Sequence, residues 1–324
     1  METIALVGPF DPGVRALLLN GIPSGFTVKE ITNESDYDRL QDVHYIILRT
    51  LTMKAHVINA LPNLKFIQRW GVGYDTVDIA AAGHRNIPVA IVSGMNAAPV
   101  SEMAVLLMLA VYRSLPRLVK NVHEGKWREG LNVGALHTIA GKTVGLVGLG
   151  SIGKMVARKV IAFGAEVQYH DKIRLSSDEE DRLGVKYVGL EKLLRTSDII
   201  SLHVPLSDET VHLVRRETLK MMKPTAILIN TARGNVVKED DLIEALQSNN
   251  ISGAGLDVVE YEPLSKGSVL LHLPNVVVTP HMGGSTMEIT ANMASRCIEN
   301  IMKVAKGERL SRADVVNAHY LKTG

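Results

Sequence analysis

The chain has 324 residues, 46% of them hydrophobic and 22% charged, which predicts about two globular domains and excludes a disordered or collagen-like chain. Its 36 lysines and arginines nearly balance 34 aspartates and glutamates, so a small-molecule substrate is favoured over nucleic acid or an anionic membrane as partner. The single cysteine, Cys297, excludes a disulfide framework and a multi-cysteine metal site within one chain; no metal site is predicted, and a reducing, cytoplasmic compartment is favoured.

From residue 3 to residue 91, short apolar runs alternate with amphipathic segments. The opening METIALVGPF lacks the basic and apolar regions of a signal peptide and predicts a strand followed by a turn. Further strands are predicted at YIILR, FIQRW and IPVAI, with helical patterns such as VRALLL and VDIAAAG between them. This alternation predicts a parallel sheet with helices on its faces.

A long helical segment follows, roughly from Val100 to Glu124, with a kink expected at Pro116. Its most apolar part, Met103 to Tyr112, is much shorter than the roughly 18 residues of a membrane span. We therefore predict a helix buried against protein and no membrane partner.

A second alternating set begins at Lys142. Its predicted strands are KTVGLVG, EVQYH, DIISLHV, AILIN, AGLDV and VVVTP, with helices over Ile152–Phe163 and Glu239–Gln247. A final helix is expected over about Thr286–Lys306, and the last residues, SRADVVNAHYLKTG, are typical of a helix end and a loose tail. The chain thus combines two α/β units with two connecting helical segments.

The sharpest local signal is TVGLVGLGSIG, in which an apolar strand runs into the spacing G-x-G-x-x-G and then into a helical pattern. In this fingerprint the glycines permit a tight turn, close approach to a pyrophosphate and close helix packing, while the helix N-terminus supplies amide donors. Asp171 ends the next predicted strand, close to the ~20-residue spacing of the acid that binds a ribose 2′-OH. The predicted dinucleotide contacts are Gly148, Gly150, Ser151, Ile152, Gly153 and Asp171.

Asp171 also bears on which dinucleotide binds. Its charge would repel a 2′-phosphate, which favours NAD over NADP. Lys172 and Arg174 follow it directly and could soften that preference. NAD is therefore the predicted cofactor and NADP the less favoured one; a glycine-rich turn in a cofactor-free α/β protein is the competing interpretation.

Ordered motifs extend over nearly the whole chain: WGVGYDTVDI, NAAPVSEMAV, the glycine loop, HVPLSDETVHLV, INTARGNVV, AGLDVVEYEPL and TPHMGGST. In these motifs the chain resembles the D-isomer-specific 2-hydroxyacid dehydrogenases, the family of D-3-phosphoglycerate dehydrogenase, glyoxylate/hydroxypyruvate reductase and D-lactate dehydrogenase. The resemblance implies two doubly wound parallel-sheet domains, a Rossmann NAD-binding domain inserted in a flavodoxin-like substrate domain. We expect the substrate domain over 1–98 and 288–324 and the NAD-binding domain over 99–287. It also implies a homodimer, with the long helix after Pro99 at the interface.

The resemblance implies three catalytic residues: Arg233 in TARG, Glu262 in VEYEP and His281 in TPH. The planar fork of Arg233 can grip a carboxylate and polarise an adjacent carbonyl. His281 can give a proton to that carbonyl oxygen, or take one from the hydroxyl, because histidine titrates near neutral pH. Glu262 would hold the other ring nitrogen. Singly, each could be an ordinary turn or surface residue, but together they follow strand ends, where doubly wound folds bind ligands.

Further residues are expected around the substrate. The amides of the loop at 71–73 could form an anion nest for a carboxylate, or the loop could be a plain turn. Arg49 and Arg69 could hold a second anionic group such as the phosphate of 3-phosphoglycerate, or be solvated surface charges. The predicted substrate contacts are Gly71, Val72, Gly73, Asn96 and Arg49.

Three residues are expected near the nicotinamide ring. Asp257, in GLDV, resembles the residue that binds the carboxamide of that ring. Thr231 and His203 lie on segments that line it in the family. For His203, a contact through the backbone alone is the alternative.

The predicted function is hydride transfer between NAD(H) and C2 of a small D-2-hydroxy or 2-keto acid, with 3-phosphoglycerate, hydroxypyruvate and glyoxylate as candidates. Formate dehydrogenases share the fold, but have Gln where Glu262 stands here. An NAD-sensing binding protein similar to the C-terminal-binding-protein corepressors retains both fold and catalytic residues, so the motifs leave it open. Turnover of 2-keto acids would separate an enzyme from such a sensor.

Overall fold

The structure is a computed structural model and describes residues 1–322. Contacts between Cα atoms divide the chain into two compact units. The first comprises Met1–Asn96 and the chain from Ser285 onward, and the second comprises Ala97–Gly284. The boundaries predicted from the sequence lie after residues 98 and 287.

The first unit contains a parallel sheet with helices on both faces. Its strands are β1 (Glu2–Val7), β2 (Phe26–Ile31), β3 (Tyr45–Leu48), β4 (Phe66–Arg69) and β5 (Val89–Ala90). Its first helices are α1 (Pro12–Gly21), α2 (Ala55–Asn59) and α3 (Ile79–His84). The strands pair in the order β2-β1-β3-β4-β5, the flavodoxin-like order.

Strand β1 shows why this sequence forms a central strand. Its residues from Ile4 to Val7 are almost fully buried, as expected for a parallel strand covered on both faces. Ala5 and Val7 pack into one apolar cluster, and Ile4 and Leu6 into a second. This alternation follows from the two-residue period of a strand, so the sheet separates two apolar cores.

The second unit contains a larger parallel sheet. Its helices are α4 (Ala97–Tyr112), α5 (Leu115–His123), α6 (Ser151–Ala162), α7 (Ser177–Leu183), α8 (Leu190–Thr196), α9 (Arg216–Leu219) and α10 (Glu239–Gln247). Its strands are β6 (Thr143–Val147), β7 (Glu166–His170), β8 (Val185–Tyr187), β9 (Ile199–Leu202), β10 (Ile227–Asn230), β11 (Gly253–Leu256) and β12 (Val276–Val278). Their order, β12-β11-β10-β9-β6-β7-β8, is the Rossmann order with one added strand. The predicted fold class is confirmed.

The break between α4 and α5 differs from the predicted kink at Pro116. The two helices meet at 64°, and Ser114 between them has left-handed backbone angles (φ 48°, ψ 42°). Pro116 lies in the first turn of α5, where its missing N–H leaves no helical acceptor unpaired. In a continuous helix its ring would clash with the carbonyl of Tyr112, so α4 ends there.

Most of α4 is buried in the second unit, as the apolar stretch predicted. Among residues 1–322, no single helix is long and apolar enough to cross a membrane. The bent pair of α4 and α5 reaches the required length only when its two helices are taken together.

The C-terminal part of the first unit begins with α11 (Met287–Ala305). The prediction of a loose tail after it is wrong for residues 311–322; the final two residues lie outside the described part. Val315 forms an antiparallel bridge with Ala90. The buried Asn317 side chain accepts a hydrogen bond from the Val89 amide (2.8 Å) and donates one to the Ile87 carbonyl (2.9 Å). Because a buried amide must be paired, these bonds fix the segment beside β5.

Candidate active site

The glycine loop connects β6 to α6. Gly148 has a φ of +94°, and a Cβ there would lie 2.6 Å from the carbonyl oxygen of His203, so the turn requires glycine. A Cβ on Gly153 would lie 2.4 Å from the carbonyl oxygen of Gly148, which explains the close packing of α6. At Gly150, which precedes α6, nothing lies within 4 Å of the corresponding position. The loop therefore leaves open space at the helix N-terminus, where backbone could approach a pyrophosphate.

Asp171 directly follows β7 and is held against this loop. Its Oδ2 accepts a hydrogen bond from the Leu149 amide (2.7 Å), and its Oδ1 accepts one from the Ile173 amide (3.1 Å). The side chain is partly buried. A carboxylate has about four acceptor positions, so Asp171 retains capacity for ribose hydroxyls.

Both cations that follow Asp171 are engaged with carboxylates. Arg174 donates two hydrogen bonds to Glu180 (2.8 and 3.0 Å) and lies over the ring of Tyr187. Hydrogen bonds from Arg174 and Tyr169 lower the pKa of Glu180. Lys172 forms an ion pair with Glu209. These interactions reduce the positive charge that either side chain offers to a 2′-phosphate.

Two buried polar atoms at the carboxyl edge of this sheet lack hydrogen-bond partners within residues 1–322. They are Oγ1 of Thr231, after β10, and Nδ1 of His203, after β9. The Nε2 of His203 contacts Ser201 Oγ at 2.9 Å, and burial lowers the pKa of this ring to about 4, so it is neutral near pH 7. Unpaired buried polar atoms are rare in native proteins. With the open space at Gly150, they fit a bound group that carries its own donors and acceptors, as a nicotinamide dinucleotide does.

Arg233 lies in a turn after β10 that is fixed at both ends. The Asn230 side chain donates to the carbonyl of Arg233 (2.9 Å) and accepts from the amide of Ala232 (3.0 Å). A Cβ on Gly234 would lie 1.8 Å from the carbonyl oxygen of Val259, so glycine alone allows this turn to pack against the segment after β11. That segment carries Glu262, and the two functional side chains are thereby brought together.

Glu262 and His281 form a direct pair. His281 Nδ1 lies 2.8 Å from Glu262 Oε2, and both side chains are partly exposed (49% and 38%). Burial alone would raise the pKa of Glu262, but the hydrogen bond and charge of His281, the Val259 amide and the charge of Arg233 outweigh it and lower that pKa. Glu262 is therefore a carboxylate at neutral pH. No hydrogen bond joins His281 Nε2 to any of residues 1–322.

The backbone of His281 is in the left-handed region (φ 53°), which is uncommon for a residue other than glycine. Its amide donates to the carbonyls of Asp257 (2.8 Å) and Thr279 (3.0 Å). The Asp257 carboxylate, 3% exposed, accepts from the Thr279 hydroxyl (2.6 Å) and from the amides of Met282 (3.0 Å) and Gly283 (2.7 Å). Strain of this kind persists where surrounding contacts over-determine it, often at functional sites.

Sequence reasoning assigned Asp257 to the nicotinamide and did not foresee that it holds the His281 loop. It also missed Asn230, which shapes the Arg233 turn. A signal was present for both, because each is a polar residue that directly ends a buried apolar strand.

The loop at 71–73 lies after β4 in the first unit. Gly71 has a φ of +108°, and the three loop amides donate no hydrogen bond to residues 1–322. Arg69 is neither a solvated charge nor a free anion ligand. It is 8% exposed, and it donates from Nε to the carbonyl of Gly73 (2.7 Å) and from Nη1 to that of Leu48 (3.1 Å). The loop is thus braced from within the protein, with its own amides left available.

Arg49 and Asn96 are the other predicted substrate contacts. Arg49 follows β3 and donates to the carbonyl of Pro9 (2.8 Å), while its Nη2 lies 3.0 Å from Asp11 Oδ2. Asn96 lies partly buried in the turn before α4. Arg49 and Asn96 belong to the first unit, whereas Arg233 belongs to the second.

Comparison with known proteins places this geometry in a family. The model for "D-isomer specific 2-hydroxyacid dehydrogenase, NAD binding domain" matches residues 105–283. Glyoxylate reductase of Korarchaeum cryptofilum is 40% identical over 84% of this chain and 82% of its own length. Hydroxypyruvate reductase of Thermotoga maritima is 37% identical over 91% of this chain and 95% of its own. D-3-phosphoglycerate dehydrogenase of Archaeoglobus fulgidus is 38% identical over 88% of this chain but 54% of its own length.

Solved structures give the same result. NADPH-dependent glyoxylate/hydroxypyruvate reductase of Sinorhizobium meliloti, in complex with NADP and malonate, superposes with a TM-score of 0.88 at 30% identity, covering 100% of this chain and 99% of that one. NAD-dependent formate dehydrogenase of Staphylococcus aureus, in complex with NAD, superposes with a TM-score of 0.87 at 29% identity, covering 98% and 99%. Relatives of this fold therefore include users of either nicotinamide cofactor.

Proposed function

Because the chain belongs to the D-isomer-specific 2-hydroxyacid dehydrogenase family, we propose that it transfers a hydride between a nicotinamide cofactor and C2 of a small D-2-hydroxy or 2-keto acid. The candidate keto acids are glyoxylate and hydroxypyruvate, and the candidate hydroxy acids include 3-phosphoglycerate. The observation that carries the proposal is the 2.8 Å pair of His281 and Glu262 at the carboxyl edge of the Rossmann sheet, within the electrostatic reach of Arg233.

Arg233 binds and polarises the substrate. Its guanidinium is planar and always charged, so it can contact a carboxylate and an adjacent carbonyl oxygen together. The bound cofactor supplies the hydride, and the protein must align the acceptor carbon and control one proton. The unpaired amides at 71–73 are suited to an oxyanion of the substrate.

His281 moves the proton. In reduction, its Nε2 donates to the carbonyl oxygen as the hydride reaches C2, and in oxidation it accepts the proton of the hydroxyl. Glu262 holds Nδ1, which fixes the orientation of the ring and stabilises its charge when protonated. A carboxylate in this place argues against formate oxidation, because hydride leaves formate as carbon dioxide without a proton relay.

NAD is the proposed cofactor. Asp171 places a negative charge beside the glycine loop, while Arg174 and Lys172 are paired with Glu180 and Glu209. Asp171 would repel a 2′-phosphate, and neither Arg174 nor Lys172 offers an unpaired charge to offset that repulsion. The position of Thr231, His203 and Asp257 at the sheet edge supports contacts with the nicotinamide end.

We also propose a homodimer. Scattered exposed apolar residues are normal, but a concentration of them on one segment indicates an interface. Such a concentration occurs along α4, α5 and the residues that follow: Leu106, Leu115, Val119, Val122, Trp127 and Val133. Sedimentation would show a dimer that Val122→Lys weakens. A cytoplasmic location, favoured by the single cysteine, stays a prediction.

A panel of 2-keto acids tests the proposal. With NADH we expect turnover of glyoxylate or hydroxypyruvate that His281→Ala and Arg233→Lys both reduce strongly, while NADH affinity is retained. Asp178→Asn, an exposed carboxylate change on α7, is the matched control. Tight NADH binding without turnover of any acid would contradict the proposal and would favour an NAD-sensing binding protein.

A further inference from the structure

Two arginines lie at the carboxyl ends of neighbouring strands in the first unit, but they are engaged differently. Arg69, at the end of β4, donates to backbone carbonyls and is almost fully buried. Arg49, after β3, is 23% exposed and is the more accessible cation. Because ligands of doubly wound sheets bind at this edge, Arg49 is the residue that could recognise a second anionic group on a substrate.

Residues 9–11 surround the Arg49 guanidinium. Its Nη1 donates to the carbonyl of Pro9 (2.8 Å), and its Nη2 lies 3.0 Å from Asp11 Oδ2. The carbon centre of the guanidinium lies 5.7 Å from the ring centroid of Phe10. Three consecutive residues thus position this cation, and the only one of them that carries a charge is Asp11.

Asp11 occupies the position before α1, where an aspartate ordinarily accepts a hydrogen bond from the first turn of the helix. Here its side chain makes no such bond. Its carboxylate is instead paired with Arg49. The Asp11 side chain thus contacts a residue 38 positions away in the chain instead of the first turn of its own helix. We infer that the pair has a role other than starting α1.

The pair is also connected to the loop proposed to bind the substrate carboxylate. The Phe10 ring packs edge-to-face against Trp70, with centroids 5.7 Å apart and planes at 88°. Trp70 directly precedes Gly71, and its amide donates to the carbonyl of Leu48 at the end of β3 (2.8 Å). Asp11, Arg49, Phe10 and Trp70 therefore form one continuous group of contacts beside the loop.

We propose that Asp11 is a specificity-determining residue that neutralises Arg49 and so selects small keto acids with a single negative charge over those with a second anionic group. The inference rests on the proposed function and names its substrate class. A phosphate carries a charge of about −1.5 to −2, and the Asp11 carboxylate beside Arg49 would repel it. Glyoxylate and hydroxypyruvate bring no second anion, so Asp11 does not discriminate against them.

The exposure of Asp11 keeps this claim testable. Its side chain is 70% exposed, and exposed ion pairs contribute little to folding stability. Asp11→Asn should therefore fold normally, and asparagine is equally suited to the position before a helix. The variant removes one charge and leaves the shape unchanged.

The experiment compares kcat/KM for hydroxypyruvate and for its 3-phosphorylated analogue with NADH. The wild type should prefer hydroxypyruvate. Asp11→Asn should raise the ratio of phosphorylated to unphosphorylated kcat/KM about tenfold, mainly through KM, as expected for removing one close like charge. Adding Arg49→Gln to that variant should abolish the gain, because the gain requires the released cation.

Asp42→Asn is the matched control. Asp42 is also an exposed aspartate paired with a cation, Lys29 (2.5 Å), but it precedes β3 at the opposite edge of the sheet, so the ratio should not move. If Asp11→Asn reduces hydroxypyruvate but its kcat/KM ratio is unchanged, the role of Asp11 is overturned and the proposed function stands. A wild type that prefers the phosphorylated acid would have the same consequence. A wild type that reduces neither acid would overturn the proposed function together with this inference.

Discussion

Asp171 and Asp257 both follow strands of the seven-stranded sheet at its carboxyl edge, and the sequence analysis predicts a cofactor contact for both. Asp171 is partly buried and accepts two backbone hydrogen bonds, so acceptor capacity remains. Asp257 is 3% exposed and accepts three hydrogen bonds from the loop at 279–283. Residue type and strand position thus locate the edge of a site. Burial and the number of accepted hydrogen bonds distinguish the two: Asp257 uses most of its acceptor capacity to hold a loop, whereas Asp171 keeps more of it for a ligand.

Because of this difference, we expect substitutions of the two aspartates to change different measured properties. Loss of Asp171, which is partly exposed, should change cofactor affinity and lower the stability less than loss of Asp257 does. Loss of Asp257 should disturb the backbone that presents His281 and therefore change kcat and stability. Both assignments are open to tests by substitution.

The largest loss of activity is expected for His281→Ala. No substitution that only displaces the His281 loop should lower kcat further than this variant does. Removing a general acid of this type should lower kcat for keto-acid reduction by about 10²- to 10⁴-fold. Fluorescence titration should show nearly unchanged NADH affinity. A variant with near wild-type kcat would remove His281 from the mechanism, and Asp257 would lose its proposed route to catalysis.

Asp257→Asn should have the second largest effect. The carboxylate now accepts hydrogen bonds from N–H and O–H groups. In the variant, the amide NH₂ would face one of these donors and leave it unpaired, so the free energy of unfolding should fall by about 1–3 kcal/mol. Misplacement of His281 should lower kcat by about 10- to 100-fold.

Asp198→Asn is the control for that variant. Asp198 accepts from the Thr143 amide (2.9 Å) and pairs with Lys223 (2.8 Å) just before β9, at the opposite edge of the same sheet. The Asp198→Asn variant should be less stable than the wild type but should have the same kcat. If Asp257→Asn behaves in the same way, Asp257 is a structural residue only.

Asp171→Ala should act mainly on cofactor binding and should leave kcat nearly unchanged. Loss of a charge-assisted hydrogen bond should weaken NADH by about 1–3 kcal/mol, and removal of the repulsion should narrow the gap to NADPH. The measurement is the ratio of the dissociation constants for NADH and NADPH in Asp171→Ala, with the same ratio in Asp178→Ala as the control. An unaltered ratio would mean that Asp171 does not face the ribose.

The sequence predicted the parts of the fold that depend on local pattern. The glycine spacing at 148–153 requires a strand, a turn and a helix in immediate succession, and those elements are present. By contrast, α7, β8 and α8 were not predicted because each is short and the segment is highly charged. A signal did exist, since Ser176 and Glu179 form a capping box at the start of α7.

Contacts between distant residues could not be predicted from the sequence. Asn317 is fixed by residues near 88, more than two hundred positions away, so nothing in its neighbourhood distinguishes it from a loose tail. Arg69 looked like a solvated charge or an anion ligand, because only the folded sheet brings the carbonyls of Leu48 and Gly73 to its guanidinium. Family motifs indicated the proposed catalytic residues. Asn230 and Asp257 also carried a sequence signal, but their contacts with the Arg233 turn and the His281 loop are visible only in the structure.

The central claim is that His281 and Glu262 act together as the proton relay, and the pH dependence of keto-acid reduction tests it most directly. The pKa of Glu262 is lowered, so its carboxylate is charged at neutral pH and lies 2.8 Å from Nδ1 of His281, where it can stabilise the ring whenever that ring is protonated. Reduction needs that protonated ring, so kcat/KM should be constant at low pH and fall as pH rises. Oxidation should show the opposite slope.

Glu262→Gln keeps a hydrogen-bonding side chain but removes the charge, so the fall should move to lower pH, with lower kcat and nearly unchanged NADH affinity. A primary isotope effect with deuterated NADH should confirm that hydride transfer limits the rate in both proteins. The account predicts the shifted profile. An unshifted profile in Glu262→Gln, with hydride transfer rate-limiting, would contradict it.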